Sequence, residues 1–176
     1  DITGGRVLFD SIDIAKARGQ ELSGIRKQLQ IIFQDPLASL NPRMKILDAV
    51  SEGIIVNKIQ GSGDIQDRVA ALLDKVGLDR DAMYKYPHQF SGGQRQRICI
   101  ARALSDNPRM IVADEVLSAL DVSVQAQIIN LLEALQKDSG LAFLFISHNL
   151  PAIKHFSDRV AVMYLGKIVE LASTDD

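Results

Sequence analysis

Met110-Ile111-Val112-Ala113-Asp114-Glu115 is the stretch on which the fold turns. Four apolar residues run without alternation into two carboxylates. An unbroken apolar run of this length reads as a strand buried on both faces, the pattern of parallel sheets covered by helices. In open α/β sheets, ligands bind at the carboxyl ends of the strands, so Asp114 and Glu115 stand where chemistry is done. Asp114 can hold Mg²⁺, directly or through water. Glu115 can orient an attacking water or accept its proton. Two solvated acids at a strand end are the plainer alternative.

Outward from this strand the pattern repeats. Residues 29–33 and 141–147 read as further apolar strands. The first ends at Gln34, a side chain able to position water or a Mg²⁺ ligand. The second ends at His148, whose imidazole can hydrogen-bond a terminal phosphate or serve a structural role. Residues 122–137 form a helix, with Val124, Ile128, Leu131, Leu132 and Leu135 on one side. Residues 151–156 are a short helix. Residues 159–164 and 167–171 are strands joined at Leu165-Gly166, and residues 6–9 and 13–14 are short strands near Gly4-Gly5.

Between Gln34 and the Met110 strand the signals turn helical. Gln34-Asp35-Pro36 and Asn41-Pro42 read as loop. Residues 46–58 are one helix. Gly61-Ser62-Gly63 breaks the pattern. Asp64 caps a second helix whose face carries Ile65, Val69, Leu72, Leu73 and Val76, closed by Gly77. Strand–helix–strand alternation therefore predicts an α/β fold in three parts: residues 1–34 and 108–176 as a parallel-sheet core, with residues 35–107 as an inserted helical subdomain.

That insertion ends in Ser91-Gly92-Gly93-Gln94-Arg95-Gln96-Arg97, at the start of a helix running to Pro108. Ser-x-x-Gln is a capping box, in which Ser91 caps the Gln94 amide and Gln94 reaches back. The same geometry suits an anion: a helix N-terminus offers free N–H groups and positive dipole, and two glycines let a phosphate approach without a Cβ in the way.

The bulk numbers set limits. The chain has 176 residues, 47% hydrophobic and 24% charged, with net charge −2. This is a globular balance, and nothing in the charge points to nucleic acid. The single cysteine, Cys99, excludes an internal disulfide and sits in an apolar run, as a buried thiol would. The longest apolar runs, residues 141–146 and 160–165, fall far short of the ~20 residues that span a bilayer. No internal repeat, low-complexity tract or secretory leader is visible. The chain opens at Asp1 without an initiator Met, like a piece of something longer.

In this order and spacing, the motifs resemble those of the ABC ATPases. Gln34 matches the Q-loop, Phe90-Ser-Gly-Gly-Gln94 the signature motif, and Val112-Ala-Asp-Glu115 the end of the Walker B strand. Ser118-Ala-Leu-Asp121 matches the D-loop and His148 the switch histidine. Residues 32–44 and 158–170 are similar, more narrowly, to the oligopeptide, dipeptide and nickel importer ATPases. The resemblance implies a P-loop NTPase-like core. It also implies ATP with Mg²⁺, and two subunits, identical or related, that sandwich ATP head to tail. Ser91 and Gly93 would contact the γ-phosphate held by the partner subunit, with Gly92 and Gln94 also in the nucleotide site. Gln34 and Asp114 would support Mg²⁺, Glu115 would polarise the attacking water, His148 would contact the γ-phosphate, and Asp121 would couple the two sites. Transmembrane permease subunits would be gripped through the helical lobe, with a solute-binding protein acting indirectly. The chain would then lie on the cytoplasmic face of the membrane.

Three departures stand out. Gly-x-x-x-x-Gly-Lys-[Ser/Thr] is absent. The only Gly-Lys pair, Gly166-Lys167, is followed by Ile168 and has Ala161 at the first glycine position. In the family this loop precedes the strand at residues 6–9, so the incomplete core implies a chain that begins just after it, with negligible ATP binding of its own. Val116-Leu117 replaces the usual Pro-Thr, which would loosen the turn aiming Glu115, and Asn149 replaces the usual Asp after the histidine. An alternative is a non-catalytic partner that offers only its signature helix to a neighbour's ATP. A DNA-repair ATPase would carry a long coiled coil in place of the short lobe, and no sustained heptads occur.

Overall fold

The computed structural model describes residues 4–59 and 63–174. Gly61 and Ser62 of the expected helix break lie outside these residues. Two short strands, β1 (Leu8–Phe9) and β2 (Ile12–Asp13), pair antiparallel at the start. Their turn is tight because Asp10 and Ser11 both take positive φ, 48° and 68°. The first is shorter than the expected residues 6–9 and the second starts one residue earlier than expected, while the Ile14 amide donates to the Val7 carbonyl and carries the pairing one step further. Helix α1 (Gly19–Gln28) then leads into β3 (Leu29–Ile32).

The expected loop after Gln34 contains a single-turn helix, α2 (Pro36–Ser39). Asp35 caps it by accepting from the Leu37 and Ala38 amides at 2.8 and 3.2 Å, and Pro36 occupies the first position, where it has no N–H to waste. Asp-Pro was read as a breaker, but the same pair starts a helix. Helix α3 (Ile46–Val56) buries Ile46, Ala49, Val50 and Ile54, and α4 (Ile65–Lys75) buries Val69 and Leu73. Asp64 caps α4 as expected, and Gly77 closes it at φ 70°. Two 3₁₀ turns, Arg80–Tyr84 and Pro87–Gln89, bring the chain to α5 (Gly92–Leu104).

The core follows as β4 (Met110–Asp114), α6 (Val122–Ser139), β5 (Ala142–Ile146) and α7 (Leu150–Phe156). A left-handed Gly140, at φ 61°, ends α6. Strands β3, β4 and β5 form a parallel sheet in that order. Ile31 stands opposite Val112, which stands opposite Leu144, and Ile32, Ala113 and Phe145 align likewise. The chain leaves the sheet after β3 and returns to it at the neighbouring β4.

The two faces of this sheet differ. Ile32, Ile111 and Ala113 are buried in one core with Ile98, Ile100, Ile128 and Leu132 from α5 and α6. The opposite face carries Ile31, Leu144 and Ile146 at 39–49% exposure. The expectation of strands buried on both faces therefore holds for one face among the described residues. The strands are apolar on both faces, but among the described residues helices bury only one of them. The last two strands, β6 (Arg159–Tyr164) and β7 (Lys167–Ser173), make a separate antiparallel hairpin. Its turn is Leu165-Gly166, both at positive φ, as a two-residue hairpin turn requires. Among the described residues no helix is long and apolar enough to cross a membrane.

Candidate functional site

Parallel register brings the ends of β3, β4 and β5 to one edge of the sheet, and the candidate residues sit just past them. Gln34 lies two residues beyond β3, Glu115 directly beyond β4 and His148 two beyond β5. The Glu115 amide donates to the Ile146 carbonyl at 3.0 Å, one more rung of the β4–β5 ladder. The backbone then turns sharply: Glu115 has φ 51°, a conformation costly for a residue with a Cβ. Ser118 holds that turn. Its amide and hydroxyl both donate to the Glu115 carbonyl, at 3.1 and 2.9 Å.

The turn aims the Glu115 carboxylate at His148. The His148 Nδ1 lies 3.0 and 2.9 Å from the two carboxylate oxygens. An ionised carboxylate only accepts, so facing an ionised Glu115 the proton lies on Nδ1, and Nε2 makes no hydrogen bond with the described residues. The imidazole is 76% exposed and the carboxylate 24%. Val116 and Leu117, which replace Pro-Thr, are each 2% exposed and anchor the turn in the core.

Gln34 joins from the other side, its Nε2 donating to Ser118 Oγ at 3.4 Å. Its carbonyl oxygen accepts no hydrogen bond from the described residues. Gln34 and Asp114 share an open cleft of about 650 Å³ with Asp35 and Arg102. The Asp114 carboxylate accepts no hydrogen bond from the described residues. An amide oxygen and a carboxylate are hard donors of the kind Mg²⁺ takes, one or two from protein with the rest from water and phosphate. The donor set fits that ion. Among the described residues no cluster of three or more His, Cys, Asp or Glu could hold a metal by itself.

The signature residues form a second group. Ser91 and Gln94 complete the capping box: the Gln94 amide donates to Ser91 Oγ at 3.3 Å, and the Ser91 amide to Gln94 Oε1 at 3.0 Å. Gly93 is a glycine for a reason within the chain, because a Cβ there would lie 2.5 Å from Val124 Cγ1 on α6. At Gly92 an added Cβ would meet Leu120 at an ordinary 3.7 Å. No hydrogen bond or ion pair among the described residues links this group to Glu115 or His148. Asp121 stands between the groups as the N-cap of α6. The Val124 amide and then the Ser123 hydroxyl hold its carboxyl below the usual Asp range.

Two residues outside the quoted motifs' assigned roles emerge. Ser118 lies in the D-loop segment, yet only the structure shows it bracing Glu115. Gln125 was not singled out, although a polar residue in line with the buried Ile128, Ile129 and Leu132 is a legible signal. Its Nε2 donates to the Leu117 and Leu120 carbonyls at 3.1 and 3.0 Å, and its Oε1 accepts from Asn149 Nδ2 at 3.2 Å. Asn149, in turn, caps α7 by accepting from the Ala152 amide.

The family model described as "ABC transporter" matches residues 1–118. The chain is 51% identical over 177 aligned residues to the oligopeptide transport ATP-binding protein OppF of Streptococcus mutans, covering 100% of this chain and 58% of OppF. It is 50% identical over 175 residues to the dipeptide transport ATP-binding protein DppF of Lactococcus lactis, covering 99% of this chain and 56% of DppF. The chain therefore spans little more than half the length of these relatives. Among solved structures it is similar to a dimeric, post-hydrolysis state of the ATP-binding cassette MJ0796 bound to ADP and Pi. There the TM-score is 0.83 at 28% identity, covering 98% of this chain and 74% of that one.

Proposed function

The chain belongs to the ABC transporter family, and from that premise we propose that it is the catalytic part of an importer's ATPase subunit, driving uptake of oligopeptides, dipeptides or similar small solutes. The observation that carries the reading is the Glu115–His148 contact of 2.9 Å at the carboxyl edge of a parallel sheet. In this reading Glu115 polarises the water that attacks the γ-phosphate of ATP and takes its proton. His148 fixes the carboxylate through Nδ1–H and presents Nε2 to the phosphate side. Mg²⁺, when bound, would neutralise charge on the β- and γ-phosphates, held on the protein side by Asp114 and Gln34.

The remaining residues act across an interface. Ser91, Gly92, Gly93 and Gln94 present the α5 N-terminus to the γ-phosphate held by a second ATPase subunit, and Asp121 couples the two sites. The helical insertion meets transmembrane permease subunits, which receive the solute from a separate binding protein. In this reading the subunit works at the cytoplasmic face of the membrane; the transport names of OppF and DppF support the permease partners, and the dimer of MJ0796 supports the second ATPase subunit.

The test is Glu115→Gln in the full-length gene product, assayed for phosphate release with Mg-ATP. A lost general base costs about 10²–10⁴ in rate, while ATP binding should persist. Hydrolysis within twofold of wild type would remove Glu115 from the mechanism and with it the reading.

A further inference from the structure

We propose that Gln125 is a positioning residue for this hydrolysis site, tying the turn that carries Glu115 to the loop that carries His148. The proposal rests on the ATPase reading above. Gln125 lies in the first turn of α6, half-buried between the two loops. Both hydrogens of its amide are used on one loop, by the Leu117 and Leu120 carbonyls, and its oxygen on the other, by Asn149. One planar group thus spans both sides of the Glu115–His148 pair. Past the Glu115–Ile146 rung, no backbone hydrogen bond among the described residues joins residues 116–121 to 147–149, so side chains hold the loops together there.

The neighbouring contacts show what Gln125 adds. Ser118 holds Glu115 locally, across three residues. Apart from its bond to Gln125, Asn149 makes only local contacts: its side chain accepts from the Ala152 amide of α7 and its own amide donates to the Ser147 hydroxyl. Apart from the Glu115–His148 contact itself, Gln125 alone among the described residues joins the two loops by side-chain hydrogen bonds. Glu115 sits at φ 51°, a conformation held by its surroundings, so a slackened brace lets the carboxylate drift. Small misplacements of a reacting group can cost large factors in rate. Asn149 matters to the brace because it donates: a carboxylate there would set oxygen against the Gln125 oxygen unless that amide turned over and abandoned the two carbonyls.

The experiment uses the full-length gene product with its transport partners and measures kcat and KM for ATP together with Tm. Gln125→Met keeps the shape and removes all three hydrogen bonds. Gln125→Glu replaces the donor with an oxygen facing two carbonyls. Asn149→Ser keeps a cap on α7 and breaks only the bridge. The expected result is a kcat at least tenfold lower in Gln125→Met and Gln125→Glu and a smaller loss in Asn149→Ser, with KM within twofold and Tm close to wild type. If Gln125→Met does not fold, Asn149→Ser decides by the same readout. A kcat within threefold of wild type overturns the proposal, and so does a loss of kcat matched by a fall in Tm or a rise in KM. A Glu115→Gln control that hydrolyses at the wild-type rate signals instead that the ATPase reading has failed.

Discussion

Adding one methyl group at Gly93 separates two explanations for a glycine at the start of a helix. The Cβ of Gly93→Ala would lie 2.5 Å from Val124 Cγ1, with Cγ2 and Cβ of the same valine at 3.6 and 3.7 Å. The first distance is well inside contact, and α5 and α6 must separate or Val124 must leave its rotamer. Overpacking of this kind costs about 1–3 kcal/mol. Alanine repays up to about 1 kcal/mol through helix propensity and a less flexible unfolded chain. The net expectation is a loss of about 1–2 kcal/mol, or roughly 2–8 °C in Tm for a chain of this size.

Val124→Ala removes the obstructing methyl groups. In that background Gly93→Ala has no clash to meet, and only the gain of up to about 1 kcal/mol remains. The sign of the effect therefore reverses between backgrounds, with a coupling of about 1–3 kcal/mol. Urea denaturation of the wild type, both single variants and the double variant closes the cycle. A Gly93→Ala cost that is the same with Val124 or Ala at position 124 would refute the steric account. Glycine at position 93 would then owe its presence to what approaches the helix from outside.

Gln96 is fully buried, and neither its Nε2 nor its Oε1 has a partner among the described residues. Each unmet buried polar atom costs about 1–3 kcal/mol, so Gln96→Met, similar in shape, should raise the urea midpoint, and a drop of more than about 1 kcal/mol would show that the amide is satisfied in solution. Asp121, held below the usual Asp range by the Val124 amide and Ser123 hydroxyl, contributes cap stability that is present above the unfolded value near pH ~4 and lost as pH falls through the depressed folded value. Stability of wild type relative to Asp121→Asn, followed by denaturation from pH 6 downward, should therefore fall in the acid range, and a constant difference would show that the carboxylate is not held.

Much of this fold is legible because each element carries its own punctuation. Asp64 and Ser91 cap the helices that their positions predict, Asp121 caps a third that the sequence reading left uncapped, and Gly77 and Gly140 end two of them in the left-handed region. The apolar runs gave the strands, and their parallel register then placed Gln34, Glu115 and His148 on one edge without further information. What eluded the sequence has a common cause. A propensity reports what a residue favours alone, while Asp35-Pro36 shows that a breaker becomes an initiator once a carboxylate faces the next two amides. Likewise Val112 and Leu144 read as buried, but burial is a property of what lies across the sheet, and the strand cannot state which face is covered.

The site shows the same division between group and geometry. Carboxylate, imidazole and amide types are readable at Glu115, His148 and Gln34, the groups that the proposed hydrolysis would use. Not readable were the hydrogen bonds of Ser118 to the Glu115 carbonyl and of Gln125 to the two neighbouring loops, on which the proposed positioning rests. Val116-Leu117 makes the point from the opposite direction. Losing Pro-Thr was expected to slacken the turn, since proline stiffens a backbone directly. Two side chains at 2% exposure anchor it instead, each fully buried aliphatic side chain contributing about 1.5–3 kcal/mol. A turn can be fixed by restricting its dihedrals or by sinking its side chains, and this chain uses the second route to hold Glu115 toward His148.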